Sequence, residues 1–165
     1  MAPARWPGWT RRHTLLLPVL PAHWPPPDAP VAIDGLTLHP KHELHITLVG
    51  TRLGKALRDA ARSGAIDRDA VRTAFEREDW RWTRCGRRTL LHAPPSRGGG
   101  PPRHALIEHV DLPAMPRFHA VLGTLLGRAL PVPPPHVTLY VAGTDQGIGV
   151  PDPQTLARLA AGSGG

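Results

Sequence analysis

The sequence has a single cysteine, Cys85, in 165 residues. An internal disulfide is therefore impossible, a Cys-x-x-Cys metal site is excluded, and no thiol chemistry calls for an oxidising compartment, so the cytoplasm is the expected location. Long apolar runs are missing too. No stretch approaches the roughly 20 residues that cross a bilayer. The short run Leu15-Leu16-Leu17 behind Arg11-Arg12 is broken by Pro18 and Pro21, which favours an opening β-strand over a twin-arginine leader. No serine sits in a Gly-x-Ser-x-Gly elbow and nothing marks a base beside Cys85, so a nucleophilic hydrolase mechanism has no anchor.

Lysine is scarce while arginine is not: Lys41 and Lys55 stand beside eighteen arginines, and the formal net charge is +7. A field of that sign attracts polyanions such as RNA or acidic nucleotides, although a GC-rich coding bias accounts for part of the arginine content. The 41% hydrophobic content and the length suit one globular domain. The 21 prolines and 17 glycines exceed their usual shares of about 5% and 7%, which predicts many stiff loops.

Residues 1–12 show no periodicity and read as a loosely held arm, residues 13–150 as the domain, and residues 151–165 as a C-terminal tail. His13 to Leu20 is an expected strand. Leu36 to His39 is another, after an Asp34-Gly35 turn. Helical spacing runs from Leu53 to Ala61 and stops at Ser63-Gly64, and a second helix is expected from Asp67 through Phe75. Trp80 to His92 reads as a hairpin turning near Gly86, with Arg84, Arg87 and Arg88 interleaved among aromatics. The plainer reading puts the tryptophans in the core and the arginines in solvent; the alternative is a surface that tracks a phosphate backbone. Pro94 to Pro102 is a flexible loop that divides the halves, followed by a strand from His104 to Leu112 and a helix from Met115 to Leu126, closed by Gly127.

Two tetrapeptides organise the chain: His45-Ile46-Thr47-Leu48 and His136-Val137-Thr138-Leu139. Both alternate polar with β-branched or aliphatic residues and so favour an extended strand, on which residues i and i+2 share a face. Each strand thus offers an imidazole beside a hydroxyl. Two such strands side by side would converge two proton-transfer groups and two hydrogen-bond donors on one spot, an arrangement suited to a phosphate diester.

The paired His-x-Thr-x motifs, in the longer forms Glu43 to Gly50 and Pro135 to Tyr140, resemble those of the two-histidine (2H) phosphoesterase superfamily. The resemblance covers roughly residues 13–150, and its specificity lies in the pairing. It implies an α+β fold with two pseudo-symmetric lobes, in which antiparallel sheets with flanking helices surround a central cleft. It implies a phosphoric diester hydrolase needing no cofactor and no metal. The substrate would be a 2′,3′-cyclic phosphate, or a 2′,5′-linked or RNA phosphodiester. His45 and His136 would be the acid and base, and Thr47 and Thr138 the phosphate-binding hydroxyls. The family also contains 2′,5′ RNA ligase-type members.

Tyr140 is in phase with His136 and Thr138 and is a candidate for contact with the substrate's sugar or base, against a packing role. Arg52, just beyond the first motif, is a candidate for charge assistance. Expected partners are a nucleotide or RNA substrate, with no membrane and a monomeric state. The main alternative is a non-catalytic RNA-binding module using the same basic cleft, which would need cations more than a paired acid and base. A metal site at His39, His42 and His45 is disfavoured. Six residues of strand span about 20 Å, whereas zinc ligands lie about 2 Å from the ion, unless Pro40 folds the segment back. His92, His104, His109 and His119 are read as structural or exposed.

Overall fold

Period-two alternation of aliphatic and polar side chains builds the centre of the molecule. In the computed structural model, which describes residues 4–161, β1 (Leu15–Val19), β2 (Val31–Ile33), β3 (Leu36–Pro40) and β4 (Leu44–Val49) come first. Helices α1 (Thr51–Ser63) and α2 (Ala70–Glu76) follow, then β5 (Thr83–Ala93), β6 (Arg103–Asp111), α3 (Ala114–Leu126), β7 (His136–Ala142) and α4 (Pro153–Ala161). The seven strands form one antiparallel sheet, so the fold class is α+β. Strand β7 is its hub. β6 pairs along one edge, while β3 and β4 share the other, β3 opposite Tyr140 and Val141 and β4 opposite Val137.

Each face of the sheet carries its own core. On one face Leu17, Ile46, Leu48 and Val137 pack with Leu57 of α1, Phe75 of α2 and Phe118 of α3. On the other face Leu91, Ala105, Ile107 and Val141 pack with Ile148, Val150 and Leu159 of α4. The helices end where the sequence says they should: Gly64 and Gly127 adopt left-handed conformations and their N–H groups return to carbonyls of the last turn. Asp34 and Gly35, both at positive φ, make the two-residue turn between β2 and β3.

Four expectations change. The stretch around Gly86 is not a hairpin turn. Gly86, at φ 74°, lies in a bulge of the single long strand β5, where the register slips between Arg84 and Arg88. The turn is made instead by the Pro- and Gly-rich loop 94–102, which joins β5 to β6 rather than separating two halves. Residues 151–161 are not a tail outside the domain, because α4 seats Leu156 and Leu159 in the second core. Residues 4–12, expected to be a loose arm, hold Trp6 edge-on to Phe75 at 5.5 Å and to Trp9 at 6.1 Å. Residues 1–3 and 162–165 lie outside the described residues.

The arginine-rich stretch also divides. Glu108 on β6 is 1% exposed, and Arg84 meets it in a two-pronged bond at 2.6 and 2.9 Å while Arg88 adds one at 3.1 Å. Arg84 stacks over Trp24 at 4.0 Å. A carboxylate this buried needs such partners, and the Arg84 bond, first of all, holds its pKa below the usual value.

The tightest packing of the N-terminal segment is against Gly54, in the middle of α1, where an added Cβ would overlap the His13 carbonyl oxygen and press on Trp9. Helix propensity favours alanine over glycine by about 1 kcal/mol, but overpacking against backbone costs about 1–3 kcal/mol or more. Gly54→Ala should therefore destabilise the protein, by about 1–2 kcal/mol in urea unfolding. A variant as stable as the parent would show that the segment does not clamp α1.

Candidate active site

Both motif strands turn their aliphatic residues to the helix-covered core and their polar residues to the other face. Ile46, Leu48, Val137 and Leu139 are at most 2% exposed, while His45, Thr47, His136 and Thr138 are half-buried. β4 and β7 run antiparallel, with Ile46 directly opposite Val137. Carried one residue either way, that register sets His45 opposite Thr138 and Thr47 opposite His136. Directly opposed side chains have Cβ atoms about 4.5–5.5 Å apart and diagonal neighbours about 7–8 Å. Each imidazole thus has the other motif's hydroxyl beside it and the second imidazole diagonally across.

The chain fixes His136 from both ends. Three consecutive prolines deliver it with φ already restricted, and its Nδ1–H donates to the Pro134 carbonyl at 2.9 Å. A carbonyl only accepts, so Nδ1 carries the proton and Nε2 is the nitrogen left for proton exchange. Burial lowers the His136 pKa, the Pro134 bond partly opposes this, and the charges of His109 and His45 lower it further. For His45 burial is again the largest cause, reinforced by Lys41 and opposed by Glu43. The two imidazoles therefore lie within electrostatic reach of each other, and both are held below the ordinary histidine pKa.

The segment after β7 closes over the second motif. Lys41 Nζ donates to the Asp145 carbonyl at 2.8 Å, and Arg12 bonds the Gln146 side chain. Gly147 comes so near Thr138 that a Cβ there would lie 3.1 Å from the hydroxyl oxygen. A glycine leaves that hydroxyl room to act.

The two weaker candidates are not drawn in. Thr138 pairs with Ile107 but Tyr140 pairs with Leu106, the next residue back along β6, so a bulge intervenes in β7. Successive residues of a strand point to opposite faces, so the bulge breaks the expected phase and turns Tyr140 toward the main core, where it packs. Arg52 is exposed in the first turn of α1, a helix whose buried Leu57 packs on that same far face. His39 pairs with Val141 on β3, and among the described residues no three His, Cys, Asp or Glu side chains gather as a metal site requires.

Two further residues stand on the motif face: His109, read from the sequence as structural or exposed, and Arg87, one of the three arginines of the basic, aromatic stretch. His109 is the direct cross-strand partner of His136, and its Nε2 bonds the Thr89 hydroxyl at 2.7 Å. Arg87 lines a cleft together with His109, Thr89 and the prolines that precede His136. Neither belongs to a motif, and His109 is revealed by its strand register alone. His119 is structural, its Nε2 donating to the Leu48 carbonyl at 2.8 Å and tying α3 to β4. Comparison of the chain with protein-family models, with curated proteins and with solved structures gives no match.

Proposed function

We propose that the chain is a metal-independent phosphodiesterase of the two-histidine type, acting on 2′,3′-cyclic phosphates or on RNA phosphodiesters through His45 and His136. The observation that carries this reading is the single pairing of Ile46 with Val137, which puts both imidazoles and both motif threonines on one face. The two-lobed pseudo-symmetric arrangement belongs to the same reading. The exchange of His and Thr between antiparallel strands supports it.

In hydrolysis of a 2′,3′-cyclic phosphate, Nε2 of neutral His136 takes a proton from water as the water oxygen bonds to phosphorus. The bond from phosphorus to a ribose oxygen breaks, and imidazolium His45 donates a proton to that leaving oxygen. The products are a phosphomonoester and a free ribose hydroxyl. His136 is the better base because its Nδ1 proton is committed to Pro134. Thr47 and Thr138 hydroxyls donate to the non-bridging oxygens, where charge accumulates in the transition state.

Acid and base act in one step, so His45→Ala and His136→Ala should each lower kcat about 10²- to 10⁴-fold in folded protein, and the double variant should cost little more than either. Full activity in the double variant would falsify the mechanism. Thr47→Ala and Thr138→Ala should cost about tenfold to a hundredfold, the worth of a hydrogen bond to a charged group. Thr→Ser at either position should be milder, since the hydroxyl survives. If serine proves as damaging as alanine, packing of the methyl group is the better account.

The pH dependence has a defined sign. The active form has one imidazole protonated and one neutral, and both pKa values lie below the usual 6.5. Plotted against pH, kcat/KM should be bell-shaped, with the two limbs belonging to the coupled pair and the maximum on the acid side of about 6.5. Above it the acid loses its proton, and at lower pH the base gains one. A profile still rising through pH 8 would contradict the assignment.

A further inference from the structure

A cleft lies beside the motif strands, bordered by Pro133, Pro134 and Pro135, which lead directly into His136. It has a volume of about 490 Å³ and is lined by Arg87, Thr89, His109, Pro134, Pro135 and Leu156, among others, a size that suits a small-molecule or nucleotide ligand. Its polar side is built on the sheet. Arg88 pairs with Glu108 and Thr89 with Ile107; Arg87, at the edge of the bulge, lines the cleft together with His109, which in turn pairs with His136. His109, His136 and Thr47 thus form a row across three neighbouring strands, with Arg87 of β5 beside His109 at its end. Arg87 is two strand spacings, about 10 Å, from His136, and a flexible arginine side chain shortens that gap.

Arg87 differs from its neighbours in sequence. Arg84 and Arg88 are engaged by Glu108 on the other face, whereas Arg87 takes part in no ion pair among the described residues. Its charge is felt by His109, whose pKa is lowered by burial and then by Arg87. An uncompensated guanidinium beside the Thr89 hydroxyl and the His109 imidazole suits a phosphate. The opposite wall, of Pro134, Pro135 and Leu156, offers flat apolar surface to a nucleobase.

We propose that Arg87, with the hydrogen-bonded pair Thr89 and His109, forms a second phosphate subsite. It takes the phosphate on the 5′ side of the nucleoside whose 2′,3′-phosphate is attacked at His45 and His136. This rests on the function proposed above. The cleft then reads the 3′ end of an RNA strand, where every nucleoside carries a 5′ phosphate, in preference to a free nucleoside cyclic phosphate.

The test compares two substrates that differ by one phosphate, uridine 2′,3′-cyclic phosphate and its 5′-phosphorylated form. At low salt the wild-type kcat/KM should favour the 5′-phosphorylated form about tenfold or more, the worth of one charge-assisted hydrogen bond. Arg87→Ala should abolish that preference. Arg87→Lys, which keeps the charge without the fork, should retain part of it. A calorimetric arm uses uridine 3′,5′-bisphosphate and uridine 3′-monophosphate, and so does not depend on turnover. The wild type should bind the bisphosphate about tenfold more tightly, and Arg87→Ala should bind both alike. Equal binding of the two ligands by wild type, or an undiminished preference in Arg87→Ala, overturns the subsite even if cyclic phosphates are turned over. An inactive protein that shows the binding difference keeps the subsite and overturns the catalytic reading instead.

Discussion

The contact on which the site depends is the pairing of Ile46 with Val137 between two strands that lie far apart in sequence. Side chains alternate with a period of two, so a slip of one residue in either strand would put an imidazole into the helix-covered core and bury a threonine hydroxyl. Ile46, Leu48, Val137 and Leu139 oppose that slip, since each buried aliphatic side chain contributes about 1.5–3 kcal/mol relative to exposure. Packing on one face of the sheet therefore fixes the chemistry on the other. The motif face carries a second, smaller core at its other end, and His45, Thr47, His136 and Thr138 remain half-buried.

Charge is sorted by the same sheet. Glu108 points to the face opposite the site and takes up Arg84 and Arg88, which removes two cations from any role in the cleft. Arg87 adjoins Arg88 in β5, and because successive strand residues alternate between faces it emerges on the motif face. Burial and neighbouring cations outweigh the one acidic neighbour of the imidazoles: Lys41 acts on His45 against Glu43, and His109 on His136. An anionic phosphate entering such a site restores the charge that favours one imidazolium, so substrate binding and protonation should reinforce each other.

Features set by local chemistry were legible in the sequence. The two motif strands follow from period-two alternation, the β2–β3 turn from Asp34-Gly35, and the ends of α1 and α3 from glycines that adopt left-handed conformations. What misled were glycines and phases whose meaning depends on a partner strand. Gly86 at positive φ serves a bulge as well as it would a turn, and only the pairing with β6 decides between them. Tyr140 keeps the spacing of the motif, yet a bulge against Leu106 and Ile107 carries it to the other face. Residues 151–161 looked like a tail because their apolar positions, Leu156 and Leu159, gain meaning only against Ile107 and Leu91. The position of His109 was beyond reach for the same reason. Arg84, Arg87 and Arg88 look alike in sequence, and only Glu108 on the partner strand sets Arg87 apart from the other two.

The central claim is that paired imidazoles on adjacent strands suffice to cleave a phosphodiester. Its most direct test is phosphorus NMR of uridine 2′,3′-cyclic phosphate incubated with the intact protein near pH 6 and with excess EDTA. The account predicts steady conversion of the cyclic phosphate resonance to that of a single monoester, 2′ or 3′, at a rate indifferent to the chelator. An unchanged cyclic phosphate resonance, or turnover that EDTA stops and added zinc restores, would contradict it.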